Sequence, residues 1–248
     1  MKKIFFLLIA SAFFSTLFAA PEATIPTVNL SLSAPNTPNQ LVTTLNIVIV
    51  LTILVLAPSI VFVMTSFLRL IVVFSFLRQA MGTQSMPPNT ILVTLALILT
   101  FFIMEPVATK SYNQGIKPYL AEKIGYEEAF NKSIKPFKDF MLKNTREKDL
   151  ALFYRIRHLP NPKTINDVSL TVLVPAFMIS ELKTAFEIGF LIYLPFLVID
   201  MVVSSVLMAM GMMMLPPVMI SLPFKLLIFV LVDGWNLLIQ RLVESFVT

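Results

Sequence analysis

Six ionisable residues interrupt long apolar runs in the carboxyl-terminal part of this chain: Glu181, Lys183, Glu187, Asp200, Lys225 and Asp233. A charged group among apolar side chains is costly, so it is usually paired or functional. The first three of these residues fit the start of a helix at a membrane interface. Asp200 and Lys225 lie in the middle of their runs, where a structural ion pair or a proton relay through Asp200 or Glu187 would each explain them.

A methionine-rich stretch separates these two mid-run charges. Residues 208–217 read MAMGMMMLPP, with five methionines in ten positions. Core packing is the ordinary role of a helical methionine, but Met212, Met213 and Met214 are consecutive and would point in different directions on a helix. Methionine is flexible and apolar, so the three side chains are suited to form a compliant hydrophobic seal around a cavity.

The residues that flank the three methionines predict a break in the helix. Gly211 precedes them and Pro216 and Pro217 follow them, and both residue types mark turns. A non-helical loop at membrane depth must be buried in protein or line a cavity. A turn here would also fold the chain back on itself and bring Asp200 and Lys225 to similar depth on facing helices, so we predict that they form a buried ion pair.

Enzymatic chemistry has little support in the residues available. The chain has no cysteine and one histidine, His158, which excludes thiolate chemistry and multi-histidine metal sites. It contains no glycine-rich phosphate loop and no nucleophile or zinc-protease motif. We therefore predict no catalytic residues, no metal ion and no cofactor.

Composition places most of the chain in an apolar environment. Of 248 residues, 57% are hydrophobic and 13% are charged, about half the charged share of a soluble protein. Residues 109–168 hold twelve of the basic and seven of the acidic residues. A basic nucleic-acid surface is one interpretation of this segment, but interspersed acids and the lack of a base-stacking motif favour a solvated helical domain.

The amino end has the three-part pattern of a secretory signal peptide. Lys2 and Lys3 precede an apolar stretch that ends in small residues, and Ala19 or Ala20 is the predicted cleavage position. An uncleaved anchor is the alternative interpretation. Residues 21–40, rich in Pro, Ser, Thr and Asn, are predicted to form a flexible extracytoplasmic linker.

The remaining chain predicts an all-α membrane protein built from helical hairpins. A first hairpin covers residues 41–108, with its second arm beginning at Asn89 and ending at Pro106. A polar helical domain covers 109–168, and a second hairpin with the methionine loop covers 169–248. Arg69 and Arg78 have no acidic neighbour in sequence. This charge pattern favours a cytoplasmic loop and an extracytoplasmic polar domain.

The sequence resembles the FliP/SctR family of type III secretion export-gate subunits over nearly the whole mature chain. The resemblance lies in residues 56–89 (LAPSIVFVMTSFLRLIVVFSFLRQAMGTQSMPPN), 175–190 (PAFMISELKTAFEIGF), 195–217 (PFLVIDMVVSSVLMAMGMMMLPP) and 221–235 (SLPFKLLIFVLVDGW). These segments are long and specific. The signal peptide favours the flagellar branch over the virulence branch.

The resemblance implies an assembly and a site. Members of the family form a pentameric ring with FliQ and FliR subunits, near FlhA, FlhB and FliO proteins, in the bacterial inner membrane at the flagellar basal body. The ring is the entry gate for unfolded flagellar proteins. The family's gate loop corresponds to Met212, Met213 and Met214, and its intramembrane Asp and Lys correspond to Asp200 and Lys225. In the family's assembled gate the apolar segments form kinked hairpins, much of which lies above the bilayer.

Overall fold

A computed structural model describes residues 38–83, 86–160, 162, 164 and 167–247. The predicted signal peptide, with its cleavage region at Ala19 and Ala20, lies outside the described residues, as does most of the predicted linker. The structure comprises two units, residues 1–51 and 52–248. In the first unit the described residues, 38–51, are helical.

Every regular element among the described residues is a helix, which confirms the all-α prediction. A short π-helical segment, Tyr112–Ile116, directly follows the α-helix that ends at Ser111. The helices are α1 Pro38–Val63, α2 Phe67–Ala80, α3 Asn89–Ser111, α4 Lys117–Leu120, α5 Tyr126–Lys143, α6 Glu147–Ile156, α7 Leu170–Ala209, α8 Pro217–Leu231 and α9 Gly234–Val247.

The predicted end of α3 at Pro106 is wrong, because the helix continues to Ser111. A proline inside a helix removes one backbone hydrogen bond. Packing against α5 offsets that loss, since the Ser111 hydroxyl donates to the carbonyl of Ser133 at 2.7 Å. Asn89 is the first helical residue and Pro88 is at the cap position, so no side chain caps this helix; the Pro88 carbonyl accepts the first backbone hydrogen bonds, from Ile91 and Leu92.

The last apolar segment is two helices rather than one. The α8 and α9 axes bend by 64° at Val232 and Asp233. Asp233 has a φ of 51°, and a residue in this left-handed region ends a helix. The bend turns α9 so that Leu238, Leu242 and Phe246 join the core.

Two hydrophobic clusters hold residues 52–248 together. The larger cluster centres on Leu70, Phe74 and Leu77 of α2, which pack against α3, α7, α8 and α9. The smaller one joins Met141 of α5 to the first turns of α7. The polar segment is therefore attached to the amino end of α7, and the methionine loop follows the other end of the same helix.

Two of the described helices are long and apolar enough to cross a membrane: α3 with its continuation to Leu120, and α7. The α8–α9 pair meets the same criterion only as a broken span. Four apolar segments were predicted, so the described part of the chain has fewer unbroken candidate spans than its hydropathy alone indicates.

Candidate functional site

The methionine loop joins α7 to α8; it begins at a glycine after the end of α7 and ends at the proline that starts α8. The α7 helix ends at Ala209, and Gly211 follows with a φ of 74°, a conformation that glycine adopts without steric cost. The amide of Met212 donates to the carbonyl of Leu207 at 2.9 Å, which closes the helix end. Pro217 is the first residue of α8, where its missing N–H has no helical partner to lose.

The described methionines of this loop lie outside the core of their own chain. Met214 is 98% exposed and Met212 is 39% exposed, whereas Met141 in the core is fully buried. Met213 lies outside the described residues. Core packing within one chain was the competing interpretation of these residues, and it does not fit the exposure of the two described members.

The structure brings Asp200 of α7 and Lys225 of α8 into direct contact. Lys225 Nζ lies 2.6 Å from Asp200 Oδ2. The Ser221 hydroxyl donates to the other carboxylate oxygen, Oδ1. The lysine side chain is 2% exposed and that of the aspartate 26%, so the ammonium group is the more deeply buried partner.

Lys225 also joins the second hairpin to the first. Its Nζ donates to the carbonyl of Ala80, in the last turn of α2, at 3.0 Å. Beyond that turn, Gly82 has a φ of 78°. An added Cβ there would lie 3.3 Å from Val218 and 3.9 Å from Lys225 Nζ. The segment after α2 therefore packs closely against the start of α8, and Lys225 holds three helices at one point.

A second buried ion pair, between Arg69 of α2 and Glu181 of α7, was missed by the sequence interpretation. Arg69 Nε donates to Glu181 Oε2 at 2.8 Å, and Nη2 donates to Oε1 at 2.5 Å. Arg69 Nη1 donates to the Ser245 hydroxyl at 2.8 Å, and its guanidinium lies 3.8 Å above the Phe246 ring. A bidentate contact of this kind, with two hydrogen bonds from one guanidinium to one carboxylate, is stronger than a single hydrogen bond.

This contact corrects the interpretation of Arg69 as a charge in a cytoplasmic loop. Arg69 is helical and buried, and its acidic partner lies 112 positions away in sequence. Arg78 is also helical, in the last turn of α2. The only sequence signal for the pair was that Arg69 and Glu181 each interrupt an apolar run.

Further polar contacts attach the middle segment to α7. Arg146 bonds Glu187 at 2.7 Å, and the Ser180 hydroxyl donates to Asp149 at 2.7 Å. Lys183 and Asp233, the remaining charges singled out in the sequence, are exposed. Within the described residues, no three His, Cys, Asp or Glu side chains gather where they could hold a metal ion.

Comparison with known proteins identifies one family. A profile of the FliP family matches residues 50–242. "Flagellar biosynthetic protein FliP" of Bacillus subtilis (strain 168) is 52% identical over 217 residues, which cover 88% of this chain and 98% of that protein. The protein of the same name from Caulobacter vibrioides is 57% identical over 196 residues, 79% of this chain and 74% of that protein. The one from Aquifex aeolicus is 47% identical over 248 residues, 99% of this chain and all of its own length.

Proposed function

The chain belongs to the FliP family of flagellar biosynthetic proteins, and we propose that it is a pore-forming subunit of the flagellar protein export gate. It is a component of the flagellar export apparatus with apolar helices suited to a membrane. In the proposed role it does no chemistry on its substrate. It passes unfolded flagellar proteins across the inner membrane and closes the passage when no protein is in transit.

The observation that carries this proposal is the exposure of the methionine loop. Met212 and Met214 lie outside their own core, at a break between two apolar helices. Apolar side chains that crowd a narrow constriction exclude water and so block ions. Thioether chains can repack around a polypeptide of any sequence. Met212, Met213 and Met214 together would supply one chain's share of such a seal.

A seal of this kind needs several copies of the loop around one axis, so the proposal includes a homo-oligomer. The family resemblance implies a pentamer that assembles with FliQ and FliR subunits, close to FlhA, FlhB and FliO proteins. Exported unfolded flagellar proteins are the transient partners. The three relatives described above carry flagellar names, which favours this role over that of a virulence secretion subunit.

An ion-coupled transporter is the alternative that the buried charges raise. Asp200 has a donor on each carboxylate oxygen, from Lys225 and Ser221. This arrangement supports a structural role, because a paired and hydrogen-bonded charge is tolerated at such a site. We therefore assign Asp200 and Lys225 to holding the α7–α8 hairpin that presents the loop.

Photo-crosslinking to a stalled substrate tests the proposed path. A photoreactive amino acid replaces Met214, and an exported flagellar protein is fused to a domain that cannot unfold. A second strain carries the probe at Leu120, which is 69% exposed on the polar segment. We expect crosslinks to the substrate from position 214 and not from 120. A substrate that stalls in the complex without crosslinks at 214, or equal crosslinks at both positions, would contradict the proposal.

A further inference from the structure

A groove with a basic rim lies where α3, α5 and α9 meet. Its volume is about 630 Å³, and its lining includes three lysines, Lys110, Lys135 and Lys143, against one acidic residue, Asp139. Lys110 and Lys135 have no carboxylate partner among the described residues. Two ammonium groups therefore face the same groove without a compensating anion of their own.

The floor of this groove is apolar. Ile103, Phe140 and Phe246 line it, and the rings of Phe140 and Phe246 stack at 6.0 Å between centroids. Just before Ile103 on α3, Phe101 and Phe102 are 73% and 66% exposed. A soluble anion such as free phosphate would match the lysines but would leave this apolar surface without a partner.

The groove lies at the boundary between apolar and polar surface. The α3 helix carries no charge from Asn89 to Met104, and Glu105 and Lys110 are its first charged residues. Phe246 lines the groove, and the Arg69 guanidinium lies over the Phe246 ring. Where an apolar span ends, the headgroups of the surrounding lipids begin.

From this arrangement we propose that the groove binds an anionic glycerophospholipid. Its phosphodiester would lie between Lys110 and Lys135, and an acyl chain would follow the apolar floor toward Phe101 and Phe102. A groove that offers ammonium groups beside apolar surface matches both the headgroup and the acyl chain of such a lipid. The proposal depends on the chain being in a membrane and not on the gate role of the methionine loop.

Native mass spectrometry of the complete complex in detergent tests this site. The complex is titrated with phosphatidylglycerol or with phosphatidylcholine of the same acyl chains. We expect tighter retention of phosphatidylglycerol, and about a tenfold loss of that preference in the double variant Lys110→Gln/Lys135→Gln. The matched control is Lys132→Gln/Lys148→Gln, which removes the same charge from exposed positions outside the groove and should keep the preference.

Three other outcomes would overturn the proposal. Equal retention of the two lipids by the unaltered complex would mean that the groove does not select anionic lipid, as it would if a second copy of the chain covered it. An equal loss in both double variants would indicate general surface charge. Competition by inorganic phosphate at the same concentration would indicate a site for soluble phosphate. An unchanged complex mass and thermal stability in both variants exclude misfolding as the cause.

Discussion

Lys225 is a buried charge that connects the second hairpin to the first. Its ammonium group donates to Asp200 at 2.6 Å and to the Ala80 carbonyl at 3.0 Å. The aspartate in turn accepts from Ser221. Removing either charge leaves the other buried without its partner, which typically costs ~3–5 kcal/mol.

We predict that Asp200→Ala and Lys225→Ala each reduce the amount of assembled complex, and that the double variant recovers part of the loss. The recovery follows because the double variant leaves no unpaired charge. Lys225→Ala should give the smaller loss, because it leaves Asp200, whose side chain is 26% exposed and still accepts from Ser221, whereas Asp200→Ala strands a lysine side chain that is 2% exposed. The measurement is the yield of intact complex from detergent extracts.

A control for this cycle is Lys183→Ala, which removes an exposed charge from α7 and should leave the yield unchanged. A double variant that is no better than the sum of its singles would mean that the two charges act independently. Loss of export with normal assembly in the double variant would instead favour a proton-transfer role for Asp200.

At the scale of elements, the short helix α9 is held at its end by Arg69. The arginine donates to both the carbonyl and the hydroxyl of Ser245 and lies over the ring of Phe246. Phe246 also stacks on Phe140 of the polar segment. Through a cation–π contact with Arg69 and a ring stack with Phe140, the end of α9 joins the membrane-type helices to the polar segment.

We predict that ending the chain after Glu244 destabilises it strongly, whereas ending it after Phe246 does not. The first truncation removes Ser245 and Phe246 from Arg69, which keeps its contact with Glu181, and leaves the buried Nη1 donor unsatisfied, at a cost of about 2 kcal/mol or more. Thermal unfolding of the purified complex measures the difference. Equal melting temperatures for the two truncated chains would show that the contact with Arg69 is energetically unimportant.

The helices were more predictable than their ends. Long apolar runs with flanking proline and glycine signals located α3, α7 and the methionine loop. The continuation of α3 past Pro106 was not predicted, because packing of Ser111 against α5 offsets a local break that the sequence shows plainly. The bend at Asp233 was missed because an apolar run continues on both sides of it.

The two ion pairs differ in predictability for a geometric reason. Asp200 and Lys225 are 25 positions apart on either side of a recognisable turn, so one hairpin suffices to bring them together. Arg69 and Glu181 lie on helices whose contact depends on the arrangement of the whole bundle. No local pattern specifies that contact, although the cost of an unpaired charge in each run indicates that some partner exists.

At the scale of the whole molecule, the orientation of the chain in the membrane is a prediction that concerns the polar segment. Residues 109–168 connect the end of α3 to the start of α7, the two unbroken candidate spans. We therefore predict that this segment is extracytoplasmic and that the segment between α2 and α3 is cytoplasmic. The prediction rests on the signal peptide pattern, since Arg69 no longer counts as a loop charge.

Reporter fusions measure this orientation at two sites that the structure selects. An added side chain at Gly125 meets no neighbour within 4 Å, and Met86 is 72% exposed, so insertions at both positions avoid the core. A reporter active only outside the cytoplasm should work at 125 and fail at 86. The opposite pattern would reverse the proposed direction of insertion.

The central claim is that the methionine loop seals the closed gate against ions. The conductance of the purified complex in a planar lipid bilayer tests this claim most directly. We predict that the unaltered complex is closed and that Met212→Ala/Met213→Ala/Met214→Ala opens a steady leak to small ions, because shorter side chains leave a constriction wide enough to hold water. The matched variant with leucine at all three positions keeps the apolar volume and should stay closed. A triple alanine variant that assembles normally and conducts no more than the unaltered complex would contradict the claim.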